Sequence, residues 1–187
     1  MMRKTTLALL GAMLASVAGC ASYKPVPPAF HSVLNQPYRL DSGDVLRVTV
    51  FEQAGLTNAY PVDKAGYIAF PLVGSVPARG HTTEQVEGAI ADRLRGGYLR
   101  DPDVTVQVDQ YRPFFIMGEV TTGGQYTYVP GMTVQKAVAI AGGFTPRAEQ
   151  ESVDITRQVG GRILTGRVLT SDPIVPGDTL YIRERWF

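Results

Sequence analysis

Residues 104–108 read Val-Thr-Val-Gln-Val, a strict alternation of apolar and polar side chains that fits an extended strand with one buried face. Residues 45–51 form a second such run and put Leu46, Val48 and Val50 on one face. Between them, Thr82 stands three residues before Gln85 in capping-box spacing, and Val86, Ile90 and Leu94 recur at intervals of four. That pattern predicts a helix with one apolar face, ended by Gly96-Gly97. Residues 61–64 and 67–71 read as two short strands around the tight connection Ala65-Gly66, with residues 72–76 as a further extended piece. Asp101-Pro102-Asp103 turns into the 104–108 strand, which closes a first unit near Arg112.

A second unit opens with a strand over 114–120 and continues, past a loop at 121–124, into 125–129. A short helix begins at Thr133, presents Val134, Ala137, Val138 and Ala141, and stops at Gly142-Gly143, where one glycine takes the left-handed cap conformation. Residues 152–157 and 162–169 read as a hairpin turning at Gly160-Gly161, and 179–183 as a final strand. The expected fold class is α+β: a small mixed sheet with one main helix over 38–112, then a unit with one short helix over 113–187. One echo links the two: Asp41-Ser42-Gly43-Asp44-Val45-Leu46 and Val175-Pro176-Gly177-Asp178-Thr179-Leu180 both run turn, Gly-Asp, strand. The glycine can supply a positive φ and the aspartate can cap the turn, a structural role that outweighs carboxylate catalysis.

The N-terminus reads as an address. Arg3-Lys4 precedes twelve largely apolar residues, and Val17-Ala18-Gly19-Cys20 follows, the layout of a secretory signal over residues 1–19. The apolar run falls short of the roughly 20 residues of a membrane-spanning helix. Small residues before the chain's single cysteine resemble the bacterial lipobox, which implies cleavage between Gly19 and Cys20 and acylation of Cys20. Two or more acyl chains hold a protein stably on a membrane without spanning it. Residues 20–37, with Pro25, Pro27, Pro28 and Pro37 and no periodicity, read as an extended tether reaching about 50 Å.

Composition narrows the function. Basic and acidic residues number 18 and 17, and removal of the signal takes Arg3 and Lys4 from the basic side, so no basic patch argues for nucleic acid. One cysteine and two histidines leave little for a metal site, and no cofactor is indicated. No nucleophile elbow, phosphate-cradling loop or His-Glu-x-x-His pair occurs, and several carboxylates sit beside glycine or proline at turns, so no catalytic residue is assigned and an enzyme is not expected.

The ordered series Gly43-Asp44, Asp63, Gly66, Pro71, Gly74 and Asp101-Pro102 resembles the export domain of the outer-membrane polysaccharide export lipoproteins. Gly118, Gly142-Gly143 and Gly177-Asp178 resemble the soluble-ligand-binding β-grasp domain that follows it. Those positions serve turn and cap geometry. A Gly123-Gly124 pair stands where the family often has Pro-Gly. The resemblance implies lipid anchoring at the periplasmic face of the outer membrane and a homo-oligomeric ring conducting capsule or exopolysaccharide. It also implies an inner-membrane polysaccharide co-polymerase as partner. The chain resembles the short branch of the family, without the C-terminal membrane helix, so a separate outer-membrane β-barrel is the expected pore. Tyr126 and Tyr128 read as core, and Trp186 as the candidate for contact with sugar or an interface. Two alternatives stay open: a monomeric periplasmic ligand-binding lipoprotein and a glycan-processing enzyme.

Overall fold

The computed structural model describes residue 26 and residues 28–186; Gly19 and Cys20, the expected cleavage and lipidation positions, lie outside the described residues. The fold is α+β. Strands β1 (Val45–Val50), β2 (Asn58–Pro61) and β5 (Val104–Gln110) make an antiparallel sheet in the order β2-β1-β5, while β3 (Tyr67–Phe70) and β4 (Gly74–Pro77) pair with each other. The alternation in β1 buries Leu46, Val48 and Val50, and Val104 and Val106 of β5 meet them across the ladder. These residues share a core with Val86, Ile90 and Leu94 of helix α2 (Thr83–Arg95). The helix starts where its sequence dictates: Thr82 accepts from the Gln85 N–H and the Gln85 side chain accepts from the Thr82 N–H, the reciprocal capping box.

The second sheet has five strands in the order β7-β6-β10-β8-β9, with β6 (Phe114–Gly118), β7 (Gly124–Tyr126), β8 (Ser152–Val159), β9 (Arg162–Leu169) and β10 (Thr179–Ile182). β10 runs parallel to β6 and antiparallel to β8. Phe114, Ile116, Val153, Ile155, Leu180 and Ile182 share the core with Val134, Ala137 and Val138 of helix α3 (Val134–Ile140), capped by Thr133. The opposite face of the sheet is open: Phe115, Met117 and Tyr181 are 40%, 46% and 49% exposed. Close approach of β6 to β10 explains Gly118, where a Cβ would stand 2.0 Å from the Ile182 carbonyl oxygen. Among the described residues no helix is long and apolar enough to cross a membrane.

Three expectations need correction. Residues 20–37 are not an extended tether from Pro28 onward: helix α1 (Pro28–Ser32) and a 3₁₀ turn (Val33–Asn35) occupy that stretch, and Phe30 is buried in the second core. Burial of one aromatic side chain there outweighs the local proline signal. The strand expected over 61–64 lies earlier, at Asn58–Pro61. The Asp63–Gly66 turn exists, but β2 is the ladder partner of β1 and β3 that of β4. The strand foreseen over 125–129 is shorter, Gly124–Tyr126.

Candidate functional site

The two Gly-Asp turns have the same geometry. In the first, the Asp41 N–H donates to Asp44 Oδ2 at 2.8 Å and the Asp44 N–H returns to the Asp41 carbonyl at 3.2 Å. In the second, the Val175 N–H donates to Asp178 Oδ2 at 2.8 Å and the Asp178 N–H returns to the Val175 carbonyl at 3.2 Å. The intervening Gly43 and Gly177 have φ of +94° and +86°. Each turn launches a core strand and leaves a carboxylate buried at its root. A buried carboxylate needs partners, and each has an arginine.

Asp44 accepts from the Arg112 N–H at 2.8 Å and from the Tyr38 hydroxyl at 2.8 Å, and Arg112 Nη1 donates to the Tyr38 oxygen at 2.8 Å. Arg112 also lies across the second turn: a Cβ on Gly177 would stand 2.7 Å from its Nε, and one on Gly43 would stand 3.4 Å from its Cβ. One side chain is therefore held between the two turns, bonded to the first and packed against the second. Burial, helped by the Asp44 carboxylate and opposed by Arg112, pushes the Tyr38 phenol well above its ordinary value, so it stays a donor.

Asp178 is held from the other side. Arg157 Nε and Nη2 donate to its two oxygens at 2.9 and 2.7 Å, Nη1 to the Phe30 carbonyl at 3.0 Å, and Nη2 to the Pro173 carbonyl at 3.2 Å. The guanidinium carbon lies 4.3 Å from the centroid of the Phe30 ring. Burial pushes the Asp178 carboxyl up, against the downward pull of Arg157. Both partners are buried, so removing either strands a charge, at a cost of about 3–5 kcal/mol. Through Arg157 the N-terminal α1 is fastened to the second sheet.

The remaining motif positions have local roles. Asp63 Oδ1 accepts from the Tyr67 N–H at 2.9 Å, and Gly66 leaves room for Arg79, whose Cβ would stand 2.6 Å from a Cβ there. The Pro71 carbonyl accepts from Val73, and Gly74 has φ +75° in the β3–β4 turn. Pro102 is buried beside exposed Asp101. Gly142 and Gly143 both have positive φ after α3, and the Gly143 N–H donates to the Val138 carbonyl at 2.9 Å. Trp186 is 95% exposed, and Tyr126 and Tyr128 lie half-buried against the second core. Among the described residues no three His, Cys, Asp or Glu side chains gather as metal ligands.

Sequence reasoning placed both aspartates but not their arginines. For Arg157 a signal existed: it lies in register with Val153 and Ile155 on the inward face of β8, where a charge requires a partner. For Arg112 none did, since its partners are 68 and 74 residues away in the chain.

Beside these turns a cleft of about 510 Å³ opens between the halves, with Tyr38, Arg39, Arg79 and Arg112 on one wall and Gln158 and Pro176 on the other. Comparison with known proteins follows the same division. Residues 32–109 match the polysaccharide biosynthesis/export protein family and residues 113–166 match the SLBB domain. The exopolysaccharide production protein ExoF of Rhizobium meliloti is 37% identical over 152 residues, covering 75% of this chain and 33% of that protein. The EPS I polysaccharide export outer membrane protein EpsA of Ralstonia solanacearum is 31% identical, over 77% of this chain and 45% of its own length. The polysialic acid transport protein KpsD of Escherichia coli is 26% identical, over 81% and 29%. The chain thus spans less than half the length of these curated relatives. With an export-family match followed by an SLBB-domain match, and a relative 37% identical over 75% of this chain, the chain belongs to the polysaccharide biosynthesis/export family.

Proposed function

We propose that this chain is a periplasmic component of a capsule or exopolysaccharide export machine, anchored to the outer membrane by lipid on Cys20. Identical subunits form a ring that conducts the polymer outward. The supporting observation is the pairing of an export domain with an SLBB domain in a chain similar to proteins whose names denote polysaccharide export, production or transport. The family is an export family rather than an enzyme family. The open face of the five-stranded sheet, with Phe115, Met117 and Tyr181 exposed, favours association between subunits. In this reading an inner-membrane polysaccharide co-polymerase feeds the ring and an outer-membrane β-barrel completes the path, because only a closed barrel or helices satisfy the backbone within lipid. Transport requires no cofactor and no covalent step.

The native mass of the protein extracted from its own membranes in mild detergent tests the ring. A closed multiple of the protomer mass is the expected result. A monomer has no lumen, and that outcome would replace conduction by ligand binding in the periplasm.

A further inference from the structure

The cleft between the halves continues around residues 33–38. Beside the 510 Å³ lobe lies a smaller one of about 210 Å³, and both are bounded by Val33, Gln36, Tyr38, Val175 and Pro176. The two lobes differ in chemistry. The larger is cationic: Arg39, Arg79 and Arg112 face a single carboxylate, Asp41, which Arg79 already holds at 3.0 Å. Arg112 is engaged by Asp44 and Tyr38. Arg39 is different, because its Nη1 donates only to the Gly80 carbonyl, at 2.6 Å, and no carboxylate among the described residues pairs with it. The smaller lobe is aromatic. Tyr38, Tyr111 and Tyr128 line it, with ring centroids 5.0 and 5.5 Å apart in successive edge-to-face contacts.

A guanidinium with free donors matches a carboxylate in a planar, two-point contact, and an aromatic wall suits the apolar face of a pyranose ring. A neutral sugar would leave the charge of Arg39 uncompensated. We propose that this cleft is a binding site for carboxylated sugars, with a uronate carboxylate on Arg39 and an adjacent sugar ring in the tyrosine lobe. The proposal rests on the polysaccharide-handling role and adds a substrate class to it.

The test uses the purified full-length lipoprotein in detergent and isothermal titration. The probes are an oligosaccharide of alternating glucuronic acid and N-acetylglucosamine and the same compound with its carboxyls reduced to alcohols. The acidic form should bind about tenfold more tightly, the size of one charge-assisted hydrogen bond. Arg39→Gln should abolish that preference, bringing affinity for the acidic form level with that for the reduced form. Arg39 is exposed, and an unchanged urea midpoint will show that the variant folds. Equal affinity for the two probes would overturn acid selectivity. Wild-type preference in Arg39→Gln would overturn the location, and Gln158→Ala on the opposite wall checks it independently. Inorganic phosphate competing as effectively as the uronate probe would reduce the cleft to a general anion site and overturn sugar recognition. None of these outcomes bears on export itself, which is read from polymer at the cell surface.

Discussion

Gly177 and Gly74 both have positive φ, but only Gly177 has a neighbour within reach of an added Cβ, the Arg112 Nε at 2.7 Å. Arg112 cannot swing away freely, because Nη1 is bonded to Tyr38 and its backbone N–H to Asp44. Gly177→Ala should therefore lower stability by about 2–3 kcal/mol and Gly74→Ala by about 1 kcal/mol, read from urea denaturation. Equal losses would mean that Arg112 moves aside without cost. Tyr38 supplies a test with pH. Its phenol holds its proton well above the ordinary value of 10.0 when folded, so its contribution is complete below pH 10. Above that pH the unfolded chain ionises first and stability falls as pH rises, by up to about 1.4 kcal/mol per unit. Tyr38→Phe should start less stable by about 1 kcal/mol at pH 8 and lose its deficit by pH 11. A deficit that stays constant with pH would contradict the buried, proton-holding phenol.

Elements whose cause is local were legible in the sequence. β1 and β5 announce themselves by alternation, α2 by its capping box and four-residue spacing, and the β8–β9 hairpin by Gly160-Gly161. The glycine caps after α3 were legible for the same reason. Elements whose cause is distant were not. α1 carries prolines on either side and no periodicity, and it exists because Phe30 fills the second core under a guanidinium 127 residues away. The strand expected over 61–64 lies instead at Asn58–Pro61, and the partners of β2 and β3 were not legible because a ladder partner is chosen by burial elsewhere in the fold. The candidate site divides in the same way: the Gly-Asp turns could be read from four residues each, whereas the Arg112 and Arg157 bonds to their carboxylates could not. Phe30→Ala should cost about 3–5 kcal/mol, because it opens a cavity and uncovers Arg157. A loss below about 1 kcal/mol in a thermal or urea transition would show that α1 does not hold the second sheet.

At the scale of the molecule, two small cores meet where the two turns face each other across Arg112. Arg112, bonded to the first turn, packs against the second, Arg157 ties the second turn to α1, and α1 is the first described helix after the expected lipid at Cys20. An anchor attached there would bear on the second sheet through Phe30 and on the first through Arg112, so the two halves would be held at the membrane together. The most direct measurement of the export role removes the gene from its own bacterium, in a background without another protein of this family, and quantifies polysaccharide at the surface and in the periplasm separately. The account predicts that surface polymer is lost and periplasmic polymer rises, with recovery by the wild-type chain and not by Cys20→Ala. Surface polymer at wild-type level in the deletion strain would contradict it.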